Sequence, residues 1–128
     1  MKIGAQAELV AARFLQTRGL KLVVQNYHCR FGEIDLILHD DDTLVFAEVR
    51  LRKSSNFGGA AASIDLRKQR KLICTAQHYL TTLARIPPCR FDAVLMRSCA
   101  EADQNADKSS KSDFQESDIE WIKNAFSA

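Results

Sequence analysis

Two carboxylates, Asp35 and Glu48, stand in neighbouring apolar segments, Phe31–His39 (FGEIDLILH) and Leu44–Arg50 (LVFAEVR), separated by Asp40-Asp41-Asp42-Thr43. Both segments read as β-strands, and the acid-rich stretch between them reads as a hairpin turn. If those four residues form the turn, His39 faces Leu44 and antiparallel pairing sets Asp35 opposite Glu48 and Glu33 opposite Arg50. Alternation then puts Glu33 and Asp35 on one face of their strand, and Glu48 and Arg50 on one face of the next. Opposed Cβ atoms lie about 4.5–5.5 Å apart, where two carboxylates repel each other. A divalent cation resolves that conflict: Mg²⁺ or Mn²⁺ prefers oxygen and often takes one or two carboxylates together with phosphate. Arg50 is suited to hold a phosphate or an anionic transition state. A slip of one residue would send the two acids to opposite faces, so this chemistry depends on register.

The competing reading makes Glu33–Arg50 a surface ion pair, with Asp35 and Glu48 both in water. Against it, the acids are embedded among Ile34, Leu36, Ile37, Leu38, Val45, Phe46 and Val49. Strands that apolar are usually covered on both faces, where an unpaired acid is costly.

The elements that must position these residues follow from periodicity. Ala7, Val10, Ala11 and Phe14 recur at helical spacing, which predicts a helix over Gly4–Arg18 ended by Gly19. Glu8 then sits on the margin of the buried stripe. Leu20–Tyr27 is rich in β-formers and predicts a strand. Lys53–Ala62 reads as a mobile loop. Ser63 is the candidate N-cap of a second helix carrying Asp65 in its first turn and an apolar face of Leu72, Ala76, Tyr79, Leu80 and Leu83. Pro87-Pro88 precede a fourth strand, Arg90–Arg97. Ser98–Ser117 is polar and acidic and reads as a disordered insertion. Asp118–Phe126 regains apolar character and is expected to dock on the core through Ile119, Trp121, Ile122 and Phe126. The order α-β-β-β-α-β predicts one α/β domain over residues 1–128, with a mixed central sheet flanked by helices.

The chain has 128 residues and a net charge of +2, so bulk charge does not announce a nucleic-acid partner. The charge is unevenly spread. Arg50–Lys71 carries seven basic residues against Asp65, and Ser98–Glu120 carries seven acids against two lysines. This suggests a basic functional face and an acidic, solvated region, although each run also reads as plain wet surface. Four cysteines without metal-site spacing predict no zinc and no disulfide. With neither an apolar signal core nor a run long enough to cross a bilayer, the expected location is cytoplasmic, with no membrane partner.

Gly4-Ala5-Gln6-Ala7-Glu8, Asn26-Tyr27, Gly32-Glu33-Ile34-Asp35-Leu36-Ile37, Phe46-Ala47-Glu48-Val49-Arg50-Leu51-Arg52, Arg90-Phe91-Asp92 and Asn124-Ala125-Phe126 together resemble the bacterial YraN family. That family is related to the Holliday-junction resolvases and the PD-(D/E)xK superfamily. The resemblance implies a restriction-endonuclease-like fold and a Mg²⁺- or Mn²⁺-dependent endonuclease, with DNA, including branched DNA, as partner. It makes Asp35 and Glu48 the metal-binding acids and brings Glu8 to the same site as a third. Arg50 stands where the superfamily carries lysine. Arginine supplies the charge but does not act as a base, its pKa exceeding about 12. The resemblance therefore also admits a non-catalytic nucleic-acid-binding module. Arg52, Lys53, Arg67, Lys68 and Lys71 would contact the phosphate backbone, Lys68 or Lys71 from the second helix, and a homodimer is implied by analogy with resolvases.

Overall fold

A computed structural model describes residues 3–52, 64–97 and 119–127. The elements are α1 (Ile3–Thr17), β1 (Lys21–Cys29), β2 (Gly32–Asp40), β3 (Thr43–Arg52), α2 (Leu66–Leu80), β4 (Cys89–Arg97) and β5 (Ile119–Phe126). The five strands form one sheet in the order β1-β2-β3-β4-β5. All pairings are antiparallel except β3–β4, which is parallel. The chain between those two strands carries α2, as a parallel connection requires. The expected mixed α/β domain is what forms. The terminal segment becomes a fifth strand, and Ile119, Trp121, Ile122 and Phe126 all pack against the core.

Each helix covers one face of the sheet. Ala7, Ala11, Ala12 and Leu15 of α1 bury against Leu36, Leu38, Val45, Ala47, Val94 and Met96. The small alanines let the helix lie close, and Gly19, at φ 97°, ends it as the sequence predicts. On the other face Leu72 and Ala76 of α2, with Tyr79, Leu80 and Leu83 beside them, meet Ile34, Ile37, Leu44, Phe46, Phe91 and Ala93. Helix α2 begins later than Ser63 would start it. Asp65 is its N-cap, with an extended backbone and a carboxylate accepting from Lys68 N–H at 2.8 Å. Ser63 itself, the Lys53–Ala62 loop and the acidic 98–117 segment lie outside the described residues.

Aromatic rings pin the register of three strands. Phe46 pairs with Phe91, and Phe91 with Phe126. Their rings stack in succession at 5.5 and 4.8 Å between centroids, each such pair contributing about 0.5–1.5 kcal/mol beyond burial. The β2–β3 hairpin keeps the expected register, His39 opposite Leu44. Its turn is tighter than four residues, since Asp40 also pairs with Thr43 and only Asp41-Asp42 remain to reverse the chain. Asp41 adopts φ 56°, which a short polar side chain tolerates.

Gly32, at φ 148°, opens β2 directly beneath α2. A Cβ added there would stand 3.3 Å from Thr75 Oγ1 and 3.9 Å from Lys71 Cβ. Gly32→Ala is expected to lower stability by about 1–3 kcal/mol, because only glycine occupies that backbone region without strain. A urea denaturation curve superimposable on wild type would refute this.

Candidate functional site

The ladder between β2 and β3 ends at Leu36↔Ala47. The next position in that register sets Asp35 opposite Glu48, as the hairpin argument requires, but the strands form no further backbone pair. Val49 N–H donates instead to Asp35 Oδ2 at 2.8 Å. Regular alternation in β2 also breaks here. Ile34 and Ile37 pack on the α2 side, whereas Leu36 and Leu38 pack on the α1 side. Asp35 thus occupies the point where β2 kinks and β3 leaves it. Beyond Ala47, β3 continues paired only with β4.

One expectation is corrected here. Asp35 is buried and Glu33 is exposed, and the Glu33 charge is felt at both Asp35 and Glu8. Glu33 does not face Arg50. It pairs across β1 with His28, whose Nε2 lies 2.7 Å from Glu33 Oε1.

Asp35 and Glu48 are both buried, at 6% and 7% exposure. Glu8 approaches from α1 and shares a hydrogen bond with Asp35, while Asn26 of β1 donates to Glu8. Asn26 falls opposite Asp35, between the pairs Gln25↔Leu36 and Tyr27↔Ile34, and holds φ 53°. Asn26, Asp35 and Glu48 therefore form a row across three strands, with Glu8 above it. Asn26 carried no predicted role. Its signal was an asparagine in a β-forming run, a residue that strands disfavour but that readily adopts a left-handed backbone.

The electrostatics follow from crowding. Burial first, then the Asp35 charge, push Glu8 up to about 7, against the Asn26 hydrogen bond. Burial and the Asp35 charge likewise push Glu48 up to about 7, opposed by Lys68 and Arg50. Burial raises Asp35 as well, opposed by Val49 N–H and the Glu8 hydrogen bond. Two cations answer the acids. Lys68 Nζ lies 3.5 Å and Arg50 Nη1 3.6 Å from the same Glu48 Oε2. Of the predicted basic residues, Lys68 thus enters the site. Lys71 and Arg67 lie exposed on α2. The side chain of Arg52, like all of Lys53, lies outside the described residues.

Among the described residues no three or more His, Cys, Asp or Glu side chains form a ready-made metal cage. Asp35 and Glu48 nevertheless suit the sparser mode in which Mg²⁺ takes one or two carboxylates and completes its shell with water and phosphate. The donors are all oxygen, and their mutual repulsion is what a hard cation relieves. Among the described residues Cys29, Cys74 and Cys89 are free thiols.

The comparisons with known proteins bear on the same residues. The model of "Uncharacterised protein family UPF0102" matches residues 7–96, a span running from Ala7, beside Glu8, through Lys68 to Met96. The chain belongs to UPF0102. A UPF0102 protein of Nitrosomonas europaea is 53% identical over 123 residues, covering 96% of this chain and 92% of its own. One from Psychromonas ingrahamii is 51% identical, covering 96% and 88%. Another from Nitrosospira multiformis is 51% identical, covering 96% and 91%. The similarity to these UPF0102 proteins is therefore nearly end to end. No helix among the described residues of this UPF0102 chain is long and apolar enough to cross a membrane.

Proposed function

We propose that this UPF0102 protein is a Mg²⁺- or Mn²⁺-dependent phosphodiesterase acting on DNA, built on a restriction-endonuclease-like core. The observation that carries this reading is the convergence of Glu8, Asp35 and Glu48 from α1, β2 and β3 on the kink of the sheet, with Lys68 and Arg50 both at Glu48. A buried cluster of acids stabilises no fold by itself, and such clusters mark functional sites.

Asp35 and Glu48 would hold the metal, with Glu8 beside them; the bound ion would supply Lewis-acid polarisation of the phosphate and an activated water. The chain's own groups do the rest. Val49 N–H fixes one Asp35 oxygen, so its carboxylate is oriented before substrate arrives. Asn26 steers Glu8 toward Asp35. A phosphate entering beside Glu48 meets Lys68 and Arg50, which lie 3.5 and 3.6 Å from that carboxylate and turn to the new anion without crossing the site. Arg67, Lys71 and the basic start of α2 track the backbone, contacts that carry no base sequence and weaken steeply with salt.

Cleavage assays on branched, single-stranded and duplex DNA with Mg²⁺ or Mn²⁺ test the proposal. Glu48→Ala is expected to reduce metal-dependent cleavage by about 10²–10³-fold or to background, while leaving salt-sensitive DNA binding in place. Equal cleavage by wild type and variant would sink it. Arg50 in the lysine position favours a second reading, a module that binds nucleic acid without cutting it. Salt-sensitive binding with no cleavage, unchanged in Arg50→Lys, would decide for that one.

A further inference from the structure

Phe31 lies in the two-residue turn between β1 and β2, a place normally given to polar or turn-forming residues, and is 40% exposed. Its surroundings are cationic and aromatic. The Arg30 guanidinium lies 5.1 Å from the ring centroid. The His78 ring of α2 meets it edge-on at 6.2 Å, itself hydrogen-bonded to the Tyr27 hydroxyl. The close approach at Gly32 brings Lys71 beside the same turn. One helical turn earlier on α2, Lys68 reaches Glu48. Lys68, Lys71 and His78 therefore form a line along α2 joining the carboxylate cluster to Phe31. Phe31 and Asp35 stand four positions apart in sequence, about 13 Å of strand, a reach of a few nucleotides.

An exposed ring flanked by an arginine, at the end of a basic track, has the chemistry of a base-stacking platform. Bases inside a duplex already stack on one another and offer such a ring no free face. We propose that Phe31 and Arg30 receive an unpaired base of the DNA strand whose backbone passes Lys71 to the site at Glu48, so that the preferred substrate contains a single-stranded segment. This deepens the nuclease reading and rests on it.

The test uses the full chain without divalent metal and an oligothymidylate carrying one 2-aminopurine, with a duplex of equal length as control. Wild type is expected to bind the single strand and to quench the 2-aminopurine. Phe31→Ala should weaken that binding about five- to a hundred-fold, abolish the quenching and change duplex binding less than about twofold. Phe31→Trp should keep the affinity, its added indole fluorescence falling as oligonucleotide binds. Phe31→Trp reports the contact even where circular dichroism shows Phe31→Ala unfolded. Single-strand affinity indifferent to Phe31→Ala, with no response from Phe31→Trp, overturns the platform and leaves the nuclease reading standing if cleavage persists. Wild type without affinity for either DNA overturns both.

Discussion

Asp92→Ala is expected to lower the unfolding free energy by about 3–5 kcal/mol, out of a total of about 5–15 kcal/mol, and the melting temperature by roughly 10–20 °C. The Asp92 side chain is fully buried. One oxygen accepts from Arg90 Nε at 2.9 Å and from Asn124 N–H at 2.9 Å. The other accepts from Trp121 Nε1 at 2.9 Å and from Arg90 Nη2 at 3.2 Å. Arg90 also reaches Asp40 at the β2–β3 turn, Nη1 to Oδ2 being 3.0 Å. Asn124 holds φ 57°, and the β4–β5 register shifts between Phe91 and Ala93, so a backbone amide there has lost its ladder partner and found Asp92 instead. Alanine would leave the half-buried Arg90 with Asp40 as its remaining carboxylate and take the acceptor from the Trp121 indole N–H and the Asn124 backbone N–H together. Hydrogen exchange should show Ile119–Phe126 losing protection before the rest of the sheet. A melting temperature within a few degrees of wild type would refute this account.

The second large effect concerns pH. Glu48 and Glu8 are both raised from 4.5 to about 7. Between those values the folded chain keeps protons that the unfolded chain has released, so stability falls as pH rises through that window. For Glu48 the linked cost is on the order of 2–3 kcal/mol. Glu8 is half-buried, and solvent screening leaves it a smaller share. The metal-free protein is therefore expected to melt higher at pH 5 than at pH 8. Millimolar Mg²⁺ or Mn²⁺ should restore the loss at pH 8 and do little at pH 5, where protons already neutralise the cluster. Glu48→Gln should flatten most of the slope and stabilise the metal-free protein at pH 8. Calorimetric scans across pH, with and without metal, measure all three. A flat profile for the metal-free wild type would show that the acids do not repel as described.

The legible parts of the fold were those where period and partner coincide. The stripe of Ala7, Val10, Ala11 and Phe14 admits one helix face, and all four pack where the stripe says. The acidic turn sets His39 against Leu44, and the register that places Asp35 against Glu48 follows from it. The rest depended on departures from regular geometry, which composition does not announce. The β2–β3 ladder stops at Leu36 and Ala47, so extending it gives Glu33 the wrong partner. Asn26 joins the site through a left-handed backbone that a strand pattern does not foresee. Lys68 was one of five basic candidates. Its entry depends on the phase of α2, which Asp65 sets by capping the helix at Leu66. Asp92 had a visible signal, an acid inside the apolar run RFDAVLMR, but its donors lie on a strand far along the chain.

The bond from Val49 N–H to Asp35 makes one candidate metal ligand a structural member of the sheet as well. The cations opposite Glu48 are held by side-chain contacts to that carboxylate, and Arg50 and Lys68 are each about a third exposed. If the proposed cleavage were lost from a lineage, the two cations would be free to change first. An oxygen acceptor at position 35 would outlast the chemistry, kept by the strand it closes.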